Sequence, residues 1–179
     1  MRDNTHSCEK CFSCGALVQV MDGPVHRYMD ACPGCWHVFN LILQKEYSDS
    51  EYRKKSRLTT DAYAVQHYGL STNPQAVRSV NHHLISLCFY FEHKMSVVEC
   101  DTAFRGMAVN KYNYTWLEPP NNVGIITVSD VAEAITVSQH LDLVEEWAFG
   151  AWKAWSWHHS TISNIIDTSY RKKWVDKGF

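Results

Sequence analysis

Residues 73–91, NPQAVRSVNHHLISLCFYF, carry the clearest structural signal in the chain. Pro74 follows the good capping residue Asn73, and apolar side chains then recur every three or four positions from Val77 to Phe91. This spacing places the apolar side chains on one face of an α-helix. The stretch therefore predicts an amphipathic helix, and it sets the expectation of a mainly α-helical fold.

Comparable patterns on either side predict three further helices. We expect them over residues 35–47, from Thr59 or Thr60 to just before Gly69, and from Thr127 or Ser129 past Ile166. Four amphipathic helices favour a bundle of about four helices. Between the third and fourth helices the helical pattern breaks, and an aromatic run followed by the turn-forming residues 118–122 predicts a short β-hairpin around residues 111–128.

The composition narrows the functional classes. The chain has 179 residues, of which 45% are hydrophobic and 20% charged, as expected for a globular protein. A net charge of −2 argues against binding nucleic acid over a broad surface, although residues 53–57 form a local basic cluster. No apolar run reaches the ~18 residues of a membrane span, and no signal-peptide core opens the sequence. We therefore expect a soluble cytoplasmic protein that has no contact with the membrane.

Five of the seven cysteines fall within the first 35 residues. Two Cys-x-x-Cys pairs, Cys11/Cys14 and Cys32/Cys35, are separated by 17 residues, a spacing typical of four-thiolate zinc sites. Gly15 permits the tight turn that the first pair requires. The pattern predicts a structural zinc ion held by these four cysteines, in a module of residues 1–35 packed on a helical domain of residues 36–179.

The cysteine pattern leaves alternatives open. Cys8 and Cys11 have the same spacing as Cys11 and Cys14, so either could form the first pair. His26 or His37 could replace one thiolate as a ligand. The cysteines could also be buried free thiols or a redox pair.

A second candidate site comes from polar residues on the predicted helices. Asp61, His67, His83 and His159 belong to three different helices, and helix-bundle interiors are where histidine and carboxylate sites are built. We expect them to act as metal ligands or as general acid and base groups, with a second divalent metal as a candidate cofactor. Each of these residues can also be read as an ordinary part of the core, and His67 as a cap at the end of its helix.

Several motifs together resemble a family of small uncharacterised bacterial proteins, a domain of unknown function. The resemblance rests on residues 11–15, 22–29, 35–36 and 61–67, and further segments up to residue 159 are similar too. It implies one compact domain with a metal-binding type of N-terminus. A weaker resemblance is to DinB-type metal-dependent helical bundles, which hold a metal with three histidines, two of them one helical turn apart. This chain has no His-x-x-x-His pair.

Two functions follow as hypotheses. The first is a zinc-containing metalloprotein that acts as a metal-dependent enzyme on a small molecule in a helical pocket lined by histidine and aspartate, with Trp152 and Trp155 as walls. The second is a zinc-stapled binding module, without chemistry of its own, for a partner protein or nucleic acid.

Overall fold

A computed structural model describes residues 7–108 and 112–175, and residues 1–6, 109–111 and 176–179 lie outside this description. The described chain is mainly helical, with a small antiparallel sheet at its N-terminal end, which confirms the predicted fold class. The strands are β1 (Cys8–Lys10) and β2 (Leu17–Gln19). The helices are α1 (Pro33–Ser48), α2 (Ser56–Gln66), α3 (Pro74–Phe91), α4 (Val97–Ala108), α5 (Val128–Ala132), α6 (Val137–Ala154) and α7 (His159–Ile165). Short 3₁₀ turns cover Tyr52–Lys55, directly before α2, and Ser156–His158, directly before α7. A π-helical segment, Ile166–Val175, follows α7.

The predicted third helix is confirmed almost to the residue. α3 has Pro74 in its first turn, and the Asn73 side chain accepts a hydrogen bond of 3.0 Å from the Gln75 N–H. This contact satisfies one of the backbone donors that a helix start leaves unpaired. The face spaced from Val77 through Leu84 to Leu87 is buried, so the sequence periodicity and the packing agree.

Helix α2 lies at the centre of the molecule. It packs most extensively against α3 and α6, and it also contacts α1 and α4. Eight of its eleven residues are buried, including the polar Asp61 and Gln66. Polar side chains on a helix that is buried on several sides need hydrogen-bond partners within the protein. The Gln66 side chain accepts a hydrogen bond from Trp147 Nε1 at 2.9 Å and donates one to the Ile126 carbonyl oxygen at 2.9 Å.

The predicted long fourth helix is divided into separate elements. Thr136 starts α6 because its side chain accepts a hydrogen bond of 3.2 Å from the Gln139 N–H. α6 ends at Ala154, and the next residue, Trp155, has ψ 15° and donates its indole N–H to the Val65 carbonyl oxygen at 3.2 Å. The tertiary contact to α2 thus outweighs the continuous heptad-like spacing of the sequence.

The predicted hairpin is wrong in position. Residues 112–127 contain no strand, and residue 111 lies outside the described chain. The sheet forms instead between residues 8–10 and 17–19, where Glu9 pairs with Val18. α4 was absent from the sequence-based prediction, although its buried Cys100, Ala103 and Met107 recur at helical spacing.

Two close backbone approaches join the N-terminal segment to the helices. A Cβ atom on Gly34 would lie 2.2 Å from the Gln19 carbonyl oxygen, and one on Gly69 would lie 2.2 Å from the Tyr28 carbonyl oxygen. Gly69 also has φ +70°, in the left-handed region that favours glycine. The predicted boundary after residue 35 falls inside α1, so the division into two domains stays a prediction.

Candidate functional site

Four side chains from distant parts of the chain converge in the interior. The ligand atoms of Cys11, Cys14, Cys35 and His67 all lie within 4.8 Å of one another. All four residues are buried, with at most 7% of their surface exposed. Cys11 and Cys14 flank a turn before β2, Cys35 lies in the first turn of α1, and His67 follows the last residue of α2.

The distances in this cluster match a tetrahedral metal site. His67 Nε2 lies 3.3 Å from Cys35 Sγ and 3.7 Å from Cys11 Sγ, and Cys14 Sγ lies 3.8 Å from Cys35 Sγ. With Zn–S bonds near 2.3 Å and Zn–N bonds near 2.0 Å, a tetrahedron has S–S edges of about 3.8 Å and S–N edges of about 3.5 Å. The cluster therefore has the donor set and the dimensions to hold a metal ion.

The backbone shapes the first cysteine pair. Gly15 has φ +76°, and its N–H donates to the Cys11 carbonyl oxygen at 2.8 Å. The Ala16 N–H points to Cys14 Sγ at 3.5 Å, and the Cys11 N–H donates to the Ala16 carbonyl oxygen at 2.8 Å. The turn predicted from Gly15 is formed between Cys11 and Cys14, and exposed Cys8 lies on β1 outside the cluster.

A second layer of contacts orients the ligands. The Tyr63 hydroxyl donates to Cys35 Sγ at 3.7 Å, and its ring stacks on the His67 imidazole with a centroid distance of 3.9 Å. The Tyr63 carbonyl oxygen lies 2.7 Å from His67 Nδ1. An Nδ1–H donor to this carbonyl leaves Nε2 unprotonated toward the thiols, as a metal-binding histidine requires.

The three thiols of the cluster shift one another's pKa values. Hydrogen bonds from the Cys14 and Cys35 thiols lower the pKa of Cys11, while the contact with Cys11 raises the pKa of Cys14 to about 12 and also raises that of Cys35. A divalent cation bound between them would stabilise all three cysteines as thiolates.

Three of the four predicted thiolates belong to this cluster, and His67 is the fourth member. Cys32 is buried beside Cys11 at the residue preceding α1, and burial is the main reason that its pKa is raised, but it is not among the four converging residues. Its role as a ligand stays a prediction. His26 and His37 are also outside the cluster: His26 Nδ1 accepts from the Met29 N–H at 3.2 Å, and His37 is exposed.

The structure separates the three histidines of the predicted second site. His67 faces the cysteines, and His159 stacks on Trp152 at a centroid distance of 3.6 Å with Nε2 donating to the Trp152 carbonyl oxygen. His83 contacts Asp61 instead. Within the part of the chain that the structure describes, the Cys3His cluster is the one group of three or more potential metal ligands that converge.

Asp61 and His83 form a buried pair between α2 and α3. Asp61 Oδ1 lies 2.7 Å from His83 Nδ1 and 2.9 Å from Arg57 Nη2, and Asp61 Oδ2 accepts a 2.6 Å hydrogen bond from the Ser86 hydroxyl. Asp61 is fully buried and His83 is 5% exposed. Because an ionised carboxylate only accepts hydrogen bonds, the proton of the short contact belongs to His83 Nδ1.

His83 lines a cleft of about 350 Å³ between α3, α4 and the segment before α1. Burial lowers the pKa of His83, and the hydrogen bond to Asp61 opposes this effect. The ring is therefore neutral near pH 7, with Nδ1 engaged by Asp61 and Nε2 left to accept a proton. A histidine positioned by a buried aspartate is the arrangement used for general acid–base chemistry.

The family comparison agrees with the resemblance in the sequence. The model of a family of unknown function, DUF5946, matches residues 9–156, which is most of the chain. The chain belongs to this family. The match includes the four residues of the Cys3His cluster and the Asp61–His83 pair.

Other comparisons add no relative. No curated protein and no solved structure matches the chain, and the resemblance to DinB-type bundles finds no support. In the described residues, no helix combines the length and the apolar character needed to cross a bilayer.

Proposed function

We propose that this protein is a zinc-stabilised enzyme in which Asp61 and His83 carry out general acid–base chemistry on a small molecule bound in the cleft beside α3. The observation that carries the proposal is the 2.7 Å contact between the fully buried Asp61 carboxylate and Nδ1 of His83, whose ring lines the cleft. Burying a carboxylate and an imidazole costs free energy that apolar side chains at the same positions would not cost. A functional role for the pair accounts for its place in the interior.

Zinc is the metal that fits the Cys3His cluster best. Three thiolates and one imidazole at tetrahedral spacing form a common zinc donor set, and four protein ligands leave no coordination position for substrate. The ion would therefore be structural, and would tie the turn at Cys11 and Cys14 to α1 and α2. Since thiolate ligands survive best in a reducing compartment, this site also supports the cytoplasm as the location.

In this proposal each member of the pair has a defined task. Asp61 holds the His83 ring in the tautomer with Nδ1 protonated and stabilises the imidazolium that forms when Nε2 accepts a proton from the substrate. Arg57 and Ser86 hold the carboxylate in position inside the protein. The chemistry needs no second metal, and His67 and His159 have no direct part in it.

The proposal is tested by comparing matched histidine variants. The zinc-loaded protein is incubated with a defined mixture of small esters, amides and phosphate monoesters, and consumption is followed by mass spectrometry. Loss of a general base typically lowers the rate by about 10²–10⁴-fold, so we expect His83→Gln to abolish most of the turnover. His159→Gln, which removes a half-buried ring that contacts Trp152, serves as the control and should retain the wild-type rate.

Two outcomes would contradict the enzyme. Turnover that His83→Gln leaves unchanged would remove the pair from the chemistry. A mixture that the wild-type protein leaves intact would instead favour the zinc-stapled binding module for a partner protein or nucleic acid.

A further inference from the structure

The cleft that His83 lines has a one-sided charge. Arg27 and Arg78 both line it, and the nine described residues that line it include no carboxylate. Asp61 lies behind His83 and its charge is already shared with Arg57 and the ring. The space open to a ligand is therefore bordered by two cationic side chains, of which Arg78 also donates to the Ala108 carbonyl oxygen.

We propose that the substrate is an anion, and that Arg27 and Arg78 hold its carboxylate or phosphate group in the cleft beside His83. This inference rests on the proposed function, since it names the substrate class of the same site. Guanidinium groups present paired N–H donors that match the oxygens of a carboxylate or a phosphate, which makes two arginines a suitable anion clamp.

Buried polar atoms on the same wall support a polar ligand. Ser79 Oγ and His82 Nε2 are shielded from solvent and have no hydrogen-bond partner among the described residues. Both side chains line the cleft, and the His82 side chain belongs to a residue that is only 5% exposed. Such unpaired groups are costly inside a protein, and a ligand with hydrogen-bonding oxygens would satisfy them.

Helix α3 explains how these groups come together. His82 and His83 follow Ser79 by three and four positions, so one side of the helix presents all three residues. Burial, with repulsion from Arg78 and His83, lowers the pKa of His82 to about 3. His82 is therefore neutral near pH 7 and contributes a hydrogen bond rather than charge, which leaves the arginines as the cationic groups.

The anion site is tested by calorimetric titration of the zinc-loaded protein with inorganic phosphate and with acetate at constant ionic strength. We expect Arg27→Gln and Arg78→Gln each to weaken binding of the preferred anion by about tenfold or more. The two titrants distinguish the anionic group of the substrate. Tighter phosphate binding indicates a phosphorylated substrate, and tighter acetate binding indicates a carboxylic acid. Arg27 is exposed, so its variant should fold even if Arg78→Gln, which loses a hydrogen bond to the Ala108 carbonyl oxygen, does not.

Arg53→Gln is the matched control because Arg53 is an exposed arginine that lines a different cleft. Equal weakening by Arg53→Gln, or unchanged binding in Arg27→Gln, would overturn the anion site. His83→Gln separates this inference from the proposed function. If His83→Gln binds the anion but has lost turnover, the result supports both the anion site and the proposed enzyme. If the wild-type protein shows arginine-dependent anion binding but no turnover, the anion site is supported and the enzyme is contradicted.

Discussion

His67 Nδ1 lies 2.7 Å from the carbonyl oxygen of Tyr63, one helical turn earlier in α2. This contact turns the other ring nitrogen, Nε2, toward the thiols of Cys11 and Cys35. The end of a helix thus supplies both a metal ligand and the acceptor that fixes its tautomer. The N-terminal cysteines and the central helix are thereby joined at one point.

The first prediction concerns the metal ligands. Cys35→Ser and His67→Gln should each remove about one zinc per chain and lower the melting temperature, because metal binding at such a site contributes directly to folding. Elemental analysis of protein purified without added metal measures the zinc. Cys8→Ser changes an exposed cysteine on β1 and should retain the wild-type zinc content. Full zinc in both ligand variants would rule out the Cys3His cluster as the metal site.

The second prediction concerns whether Cys32 or His67 is the fourth metal ligand. Cys32 is buried next to the cluster but is not one of its four converging residues. Cys32→Ser should therefore keep the zinc, with at most a moderate loss of stability. If it instead loses zinc as completely as Cys14→Ser while His67→Gln retains it, the four-thiolate site predicted from the cysteine spacing is the right one.

The third prediction concerns the contact behind the ligands. Tyr63→Phe keeps the aromatic ring that stacks between Phe39 and His67, but it removes the hydroxyl that donates to Cys35 Sγ. Such supporting contacts typically change metal affinity by about 10–100-fold. We expect weaker zinc binding in competition with a chelator and an unchanged helical circular dichroism spectrum. Equal affinity in the two proteins would show that the hydroxyl does not support the sulfur.

The cysteine spacing was a good guide to local structure and a poor guide to long-range contacts. The turn at Cys11 and Cys14 follows from residues that are neighbours in sequence, and Gly15 marked it. His67 lies 56 positions after Cys11, and no local spacing connects the two. The sequence pointed to His67 as a functional residue at a helix end, but its partners depend on how α2 packs against the N-terminal segment.

The Asp61–His83 pair shows the same limit. Both residues were candidates because each flanks an apolar helix face, and the contact between them depends on the packing of α2 against α3. The cleft was not foreseeable, because Phe104 comes from α4, a helix that the sequence-based prediction omitted. A local signal for α4 existed in the spacing of Cys100, Ala103 and Met107.

The fourth prediction is a pH effect on stability. Burial lowers the pKa of His82 from 6.5 to about 3, with smaller contributions from Arg78 and His83. Between these values the unfolded chain binds a proton that the folded chain excludes, so stability falls as the pH falls from 6.5 toward 3. At pH 5 the loss from this group is about 2 kcal/mol.

Urea denaturation at pH 7 and pH 5 measures this effect. His82→Gln should lose about 2 kcal/mol less than the wild-type protein over that interval, whereas the control His37→Gln, at an exposed position, should behave as wild type. The same pH dependence in His82→Gln and the wild-type protein would mean that other groups cause the loss of stability.

The last prediction concerns a buried ionisable pair away from both candidate sites. Glu46 Oε1 on α1 lies 3.0 Å from His140 Nε2 on α6 and accepts a 2.5 Å hydrogen bond from the Thr59 hydroxyl on α2. Both members of the pair are at most 1% exposed, so neither can reach water if the other is removed. Breaking such a pair typically costs about 3–5 kcal/mol, whereas replacing both members with apolar residues is far less costly.

We therefore expect Glu46→Leu and His140→Leu each to be strongly destabilising, and the double variant to lose much less stability than the sum of the two single losses. Urea denaturation of the four proteins gives the coupling free energy, and losses that add to within about 0.5 kcal/mol would show that the two side chains do not interact.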